Sequence, residues 1–61
     1  MSKRLAKIAD EIAEDRIVRA AEDYSDLRDR VDLATGGDLD CTQLDIVTGL
    51  VAHRRGIKAG A

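Results

Sequence analysis

From Ser2 to Ala34 the chain has neither glycine nor proline, and Leu5, Ile8, Ile12, Ile17, Ala20, Tyr24, Leu27, Val31 and Ala34 recur every three to five positions. A strand needs alternation at every second residue, so a run this long at the helical period commits this half of the molecule to α-helix. The spacing predicts one helix over about residues 2–34. At 1.5 Å per residue it would be about 50 Å long, against a radius of roughly 10 Å for a compact chain of this size. It would therefore project past any core that one chain can build.

Within that run Ile17, Ala20, Tyr24, Leu27, Val31 and Ala34 keep a 3-4-3-4-3 spacing, the a/d seam of packed helices. Projected backwards, the register lands on Ala13, Asp10, Ala6 and Lys3 and misses Leu5, Ile8 and Ile12. The stripe thus changes face near residues 13–16. Either the helix kinks there, or its first three turns serve a different neighbour.

Thr35, Gly36, Gly37 and Asp38 break the pattern and set a turn over residues 35–39. Asp40 or Thr42 then caps a second helix over about residues 41–55, with Gln43 or Asp45 three positions on completing a capping box. Gly56 closes it behind His53, Arg54 and Arg55, which suit the negative end of a helix dipole, and residues 56–61 read as a flexible tail. On this helix Ile46, Ile57, Leu50, Val47, Val51 and Leu44 cover roughly 160°, wider than the stripe of about 100° that packs on one neighbour. Two neighbouring helices are implied.

Size makes association the expected way to complete such a fold. The chain has 61 residues, one small domain, and a chain of about 60 residues buries only about 60% of the surface it exposes when unfolded. The usual staples are missing: Cys41 is the only cysteine and His53 the only histidine, so neither an internal disulfide nor a four-ligand zinc set can form. With no Phe or Trp and Tyr24 the only aromatic, the core is aliphatic and alanine-rich, which suits close helix packing. The expected class is all-α: an antiparallel hairpin of a long first and a short second helix, completed as a homodimeric helical bundle. A monomer whose first helix breaks, giving three short helices, satisfies much of the same pattern.

In the dimeric reading, self-association falls to Ile17, Tyr24, Leu27 and Val31 with Leu44, Val47, Leu50 and Val51. Tyr24 is the expected anchor, since aromatic residues dominate interface energetics. Leu5, Ile8 and Ile12, being out of register, either form a separate surface for a protein partner or pack on the second helix.

The chemistry-bearing residues argue against catalysis. Asp10, Glu11, Glu14 and Asp15, and Glu22, Asp23, Asp26, Asp29 and Asp32, read mainly as a solvated helix face, with Asp15–Arg19 and Asp26–Arg30 at the favourable i,i+4 spacing. Asp23, Arg16, Arg19 and Arg30 lie near the apolar stripe, where they flank a seam and set partner geometry. Asp38, Asp40 and Asp45 resemble a calcium loop only in part, because the EF-hand positions six and twelve hold Gln43 and Gly49. The Gly36–Gly37 pair lacks the Lys and Ser/Thr of a phosphate loop. Cys41 reads as small semi-buried filler, and twelve residues, about 18 Å of helix, separate it from His53. No cofactor or metal is expected.

A nucleic-acid reading rests on two basic ends, Lys3, Arg4 and Lys7 and then Arg54, Arg55 and Lys58, which a simple hairpin brings toward one side. Against it stand the net charge of −2 and the carboxylates Asp40 and Asp45 at the leading end of the helix that would enter a groove. The acidic polar face of the first helix also disfavours a membrane surface. No signal-peptide h-region and no apolar run of about 18 residues is present, and an unpaired cysteine fits a reducing, cytoplasmic setting. The expected function is a small non-enzymatic interaction protein that self-associates and binds another protein as regulator, inhibitor or assembly factor, of the sort small accessory or phage-encoded genes supply.

Overall fold

In the computed structural model, which describes residues 3–58, four helices follow one another: α1 (Lys3–Ile12), α2 (Arg16–Arg19), α3 (Tyr24–Ala34) and α4 (Cys41–Arg55). The described residues contain no strand, so the class is all-α. Residue 2 of the expected first helix and residues 59–61 of the expected tail lie outside the described residues.

The expected single helix over residues 2–34 is replaced by three helices. Each new one starts on an aspartate. Asp15 accepts a hydrogen bond from the Ile17 N–H at 2.9 Å, and Asp23 accepts from the Asp26 N–H at 2.8 Å. A carboxylate at this position satisfies an otherwise unpaired donor and complements the helix dipole. The physical reason for the breaks is burial. A straight rod leaves its apolar stripe against water, whereas the folded-back chain gathers Leu5, Ala9, Ile12, Val18 and Ala21 with Leu27, Val31, Leu44, Val47 and Val51. Covering one large aliphatic side chain contributes about 1.5–3 kcal/mol, which outweighs two extra helix ends that are capped.

Four residues are too few for α2 to hold itself, and two arginines from elsewhere hold it. Arg30 Nη1 donates to the Ile17 carbonyl at 3.1 Å. Arg55 Nη1 donates to Val18 O at 2.8 Å and Ala21 O at 3.2 Å, and its Nη2 to Arg19 O at 2.9 Å. Ile17, Val18 and Arg19 lie in the last turn of α2, whose carbonyls have no i+4 partner within the helix, and Ala21 follows just beyond it; Val18 O accepts in addition from the Ala21 N–H at 3.2 Å.

The turn after α3 has Gly36 at φ 67° and Gly37 at φ 75°, left-handed values that a side chain disfavours. Thr35 Oγ1 adds hydrogen bonds to Val31 O and Asp32 O. Beyond it α4 opens on the Asp40–Gln43 capping box and ends with Gly56 left-handed and the Ile57 N–H on Ala52 O at 2.9 Å, a Schellman motif. Gly56 and Ile57 are thereby fixed to the helix end, and Ile57 packs half-buried on the core, so the expected loose tail does not begin at residue 56.

Helix α4 packs against both α1 and α3. Arg28 of α3 pairs with Asp45 and Tyr24 lies beside Gly49, so α3 and α4 run antiparallel. Leu27, Val18, Val31, Val47 and Val51 are fully buried at the centre.

Candidate functional site

Most of the residues expected to join two chains are spent within one. Leu27, Val31, Val47 and Val51 have no exposed surface, and Leu44 is buried. The structure brings these five together, but as the protomer's own core, because the folded-back α2 and α3 supply the partners that a projecting helix lacks. Ile17 stays 44% exposed, while Tyr24 and Leu50 are half-buried at the edge of the core. The expected separate surface collapses for the same reason. Leu5 and Ile12 are buried and Ile8 is half-buried; Ile8 and the edge of Ile12 border a groove of about 210 Å³ shared with Arg4, Glu11 and Leu39.

The basic C-terminal end is also engaged inside the chain. Arg54 forms an ion pair with Asp10, so α4's basic end meets the acidic last turn of α1, about 10 Å along that helix from Lys3. Arg55 holds the carbonyls of α2. Lys58 is exposed beside a wide groove of about 610 Å³ bordered by Tyr24, Arg28, Ile57, Glu22 and Asp23. Asp23 there is already an acceptor for the α3 backbone. The Arg28 guanidinium is held above its ordinary range by the hydrogen bond and charge of Asp45, with a smaller contribution from Cys41. Cys41 itself is exposed rather than semi-buried filler, because it is the first residue of α4 and precedes the core-facing turn.

What the fold leaves open is the outer face of α4. Leu44, Val47, Thr48, Val51 and Ala52 point into the core. On the opposite side lie Thr42, Ile46 and His53, with Gln43, Gly49 and Leu50 half-buried at the margin, and Ile46 is 38% exposed. None of these carries a formal charge at neutral pH, in a chain whose charged fraction is 36%. Leu33, at 70% the most exposed large apolar residue among the described residues, stands by contrast among Asp29, Arg30 and Asp32, and such isolated residues are ordinary surface.

The sequence pattern pointed to this face without resolving it. The apolar arc of α4 was too wide for one neighbour, and its edge residue Ile46 is the one the core leaves out. The structure adds that a Cβ placed at Gly49 meets Tyr24 Oη only at 3.9 Å, an ordinary contact, so the Tyr24 contact does not require a glycine at mid-helix. Comparison with protein-family models, curated proteins and solved structures finds no match.

Proposed function

We propose that this chain is a small non-enzymatic interaction protein that works through helix surface, self-associating and binding another protein as a regulator, inhibitor or assembly factor. The observation that carries the reading is the uncharged outer face of α4, with Ile46 exposed at its middle. An uncharged strip with an aliphatic residue exposed at its middle suits a contact surface, because the cores of protein interfaces are depleted of charged residues. Intramolecular use of Arg54 and Arg55 weighs against the nucleic-acid alternative, which needs free cations facing phosphate.

A photo-cross-linking residue at position 46, compared with one at Asp29, tests the reading in extract of the producing cells. A discrete protein adduct from position 46, identified by mass and competed by unlabelled chain, is the expected result. Equal and diffuse adducts from both positions, or none, would overturn it.

A further inference from the structure

Residues 20–23, which separate α2 from α3, are Ala20, Ala21, Glu22 and Asp23. Sharp breaks in helices are usually traced to proline or glycine. This one has neither, and alanine and glutamate are among the strongest helix formers. The apolar register also runs through it, since Ile17, Ala20, Tyr24, Leu27 and Val31 keep one 3-4 seam on both sides. Local preference and phase thus favour a straight helix over residues 16–34, and the tertiary structure opposes them.

The opposition is a competition for the same acceptors. In a straight helix the carbonyls of Ile17, Val18 and Arg19 accept from the N–H groups of residues 21, 22 and 23. Here Arg30 holds Ile17 O, and Arg55 holds Val18 O and Arg19 O. The Ala21 N–H turns to Val18 O at 3.2 Å instead, and the Asp23 side chain takes the Asp26 N–H. Straightening lays the next helical turn over these carbonyls and so excludes both guanidiniums.

A single chain cannot straighten without carrying α1 off α4 and uncovering Leu5, Ala9 and Ile12. A second copy removes that cost. Because α1 and α3 each pack on α4, two chains that straighten together leave each α3 on its own α4 and set each α1 on the other chain's. The contacts that now form within one chain then form between two, down to the Asp10–Arg54 ion pair. Val18 and Ala21 leave the core in exchange for backbone hydrogen bonds, and Ile17, exposed in the single chain, joins the stripe of Tyr24, Leu27 and Val31. We infer that the break at residues 20–23 is a switch, bent in the single chain and straight in a dimer that exchanges α1, with Arg55 as its latch. Exchange of an identical element is a low-cost route to a dimer, because the interface is already built.

The inference rests on the self-association part of the proposed function and gives it a route. The test is refolding of the full chain from urea at micromolar and at near-millimolar concentration, followed by size exclusion with light scattering. Dilute refolding yields the 6.6 kDa chain, and concentrated refolding yields in addition a dimer of higher helicity. Arg55→Ala, which removes the latch, raises the dimerisation constant at least tenfold. Glu22→Gly, at an exposed position of the break, lowers it at least tenfold, because glycine weakens the straight helix in both copies. Exchange is read on a Cys41→Ser background carrying Asp10→Cys and Arg54→Cys, bridged by a short bis-maleimide. The bridge is internal in the single chain, whereas in the exchanged dimer it joins two chains, which then run as a covalent dimer under denaturing conditions. Wild-type and Arg55→Ala chains that both stay monomeric after concentrated refolding overturn this inference and the self-association reading together. A dimer whose bridges stay within each chain, or one indifferent to both substitutions, overturns the exchange and leaves self-association standing. Bridged chains without added helicity overturn the straight helix.

Discussion

The guanidinium of Arg55, in the last turn of α4, donates to the main-chain carbonyl of Val18 at 2.8 Å across 37 residues of chain. The same group holds Arg19 O and Ala21 O, so one side chain serves most of the open end of α2. Arg55→Ala is expected to lower stability by about 1–2 kcal/mol, the worth of charge-assisted hydrogen bonds on a partly exposed group. Arg55→Lys recovers less than half, because one ammonium cannot span three carbonyls. Urea unfolding followed by circular dichroism checks both; equal stability of all three proteins shows these bonds idle.

Thr48 is fully buried, and its Oγ1 has no hydrogen-bond partner. Burying a hydroxyl without a partner costs free energy that an apolar group of similar shape does not incur. Thr48→Val therefore stabilises the domain, by about 1 kcal/mol. A rise in the thermal midpoint is the expected reading, and a fall shows that the hydroxyl has a function in the core.

Leu27 lies at the centre, with no exposed surface. Leu27→Ala removes packing from α3 against α4 and costs about 2–5 kcal/mol. Domains this small have stabilities near the bottom of the usual 5–15 kcal/mol range, so the variant is expected to be largely unfolded at 37 °C by circular dichroism. Full helicity with an unchanged thermal midpoint contradicts the central role of this residue.

Asp40 accepts from the Gln43 N–H at 2.8 Å, and Gln43 Oε1 accepts from the Asp40 N–H at 3.2 Å. Asp40→Ala removes the first bond and is expected to cost about 1 kcal/mol. Asp40→Asn, which keeps an acceptor, costs less. Equal losses for the two would assign the effect to charge rather than to the cap.

How far the fold was legible differs between its halves. In α4 each boundary has its own local chemistry, an aspartate with a glutamine three residues on and a glycine able to turn left-handed, so both ends could be read directly. The first half has no such punctuation. Its breaks are capped by Asp15 and Asp23, which sit among many carboxylates and look like further surface charge. The second break was hidden by phase. Four residues of turn between α2 and α3 happen to preserve the 3-4 spacing from Ile17 to Val31, so the seam looks continuous although two helices carry it. Only the face change near residues 13–16 showed beforehand that the rod could not be straight.

The candidate site was harder to see because it consists of absences. A seam without charge becomes informative only once the opposite face is known to be full. Leu44, Val47 and Val51 look as available as Ile46 until α1 and α3 are folded over them.

The hold of Arg55 on α2 also gives the domain an order of events. A chain is synthesised from its N-terminus, so α2 emerges long before the side chain that closes it, and Ile12 and Leu27 appear before Val47 and Val51 can cover them. Nascent chains thus carry open carbonyls and uncovered aliphatic residues until α4 is free of the ribosome. A premature stop within the last turn of α4 accordingly removes Arg55 and leaves the α2 carbonyls without the donor that closes them.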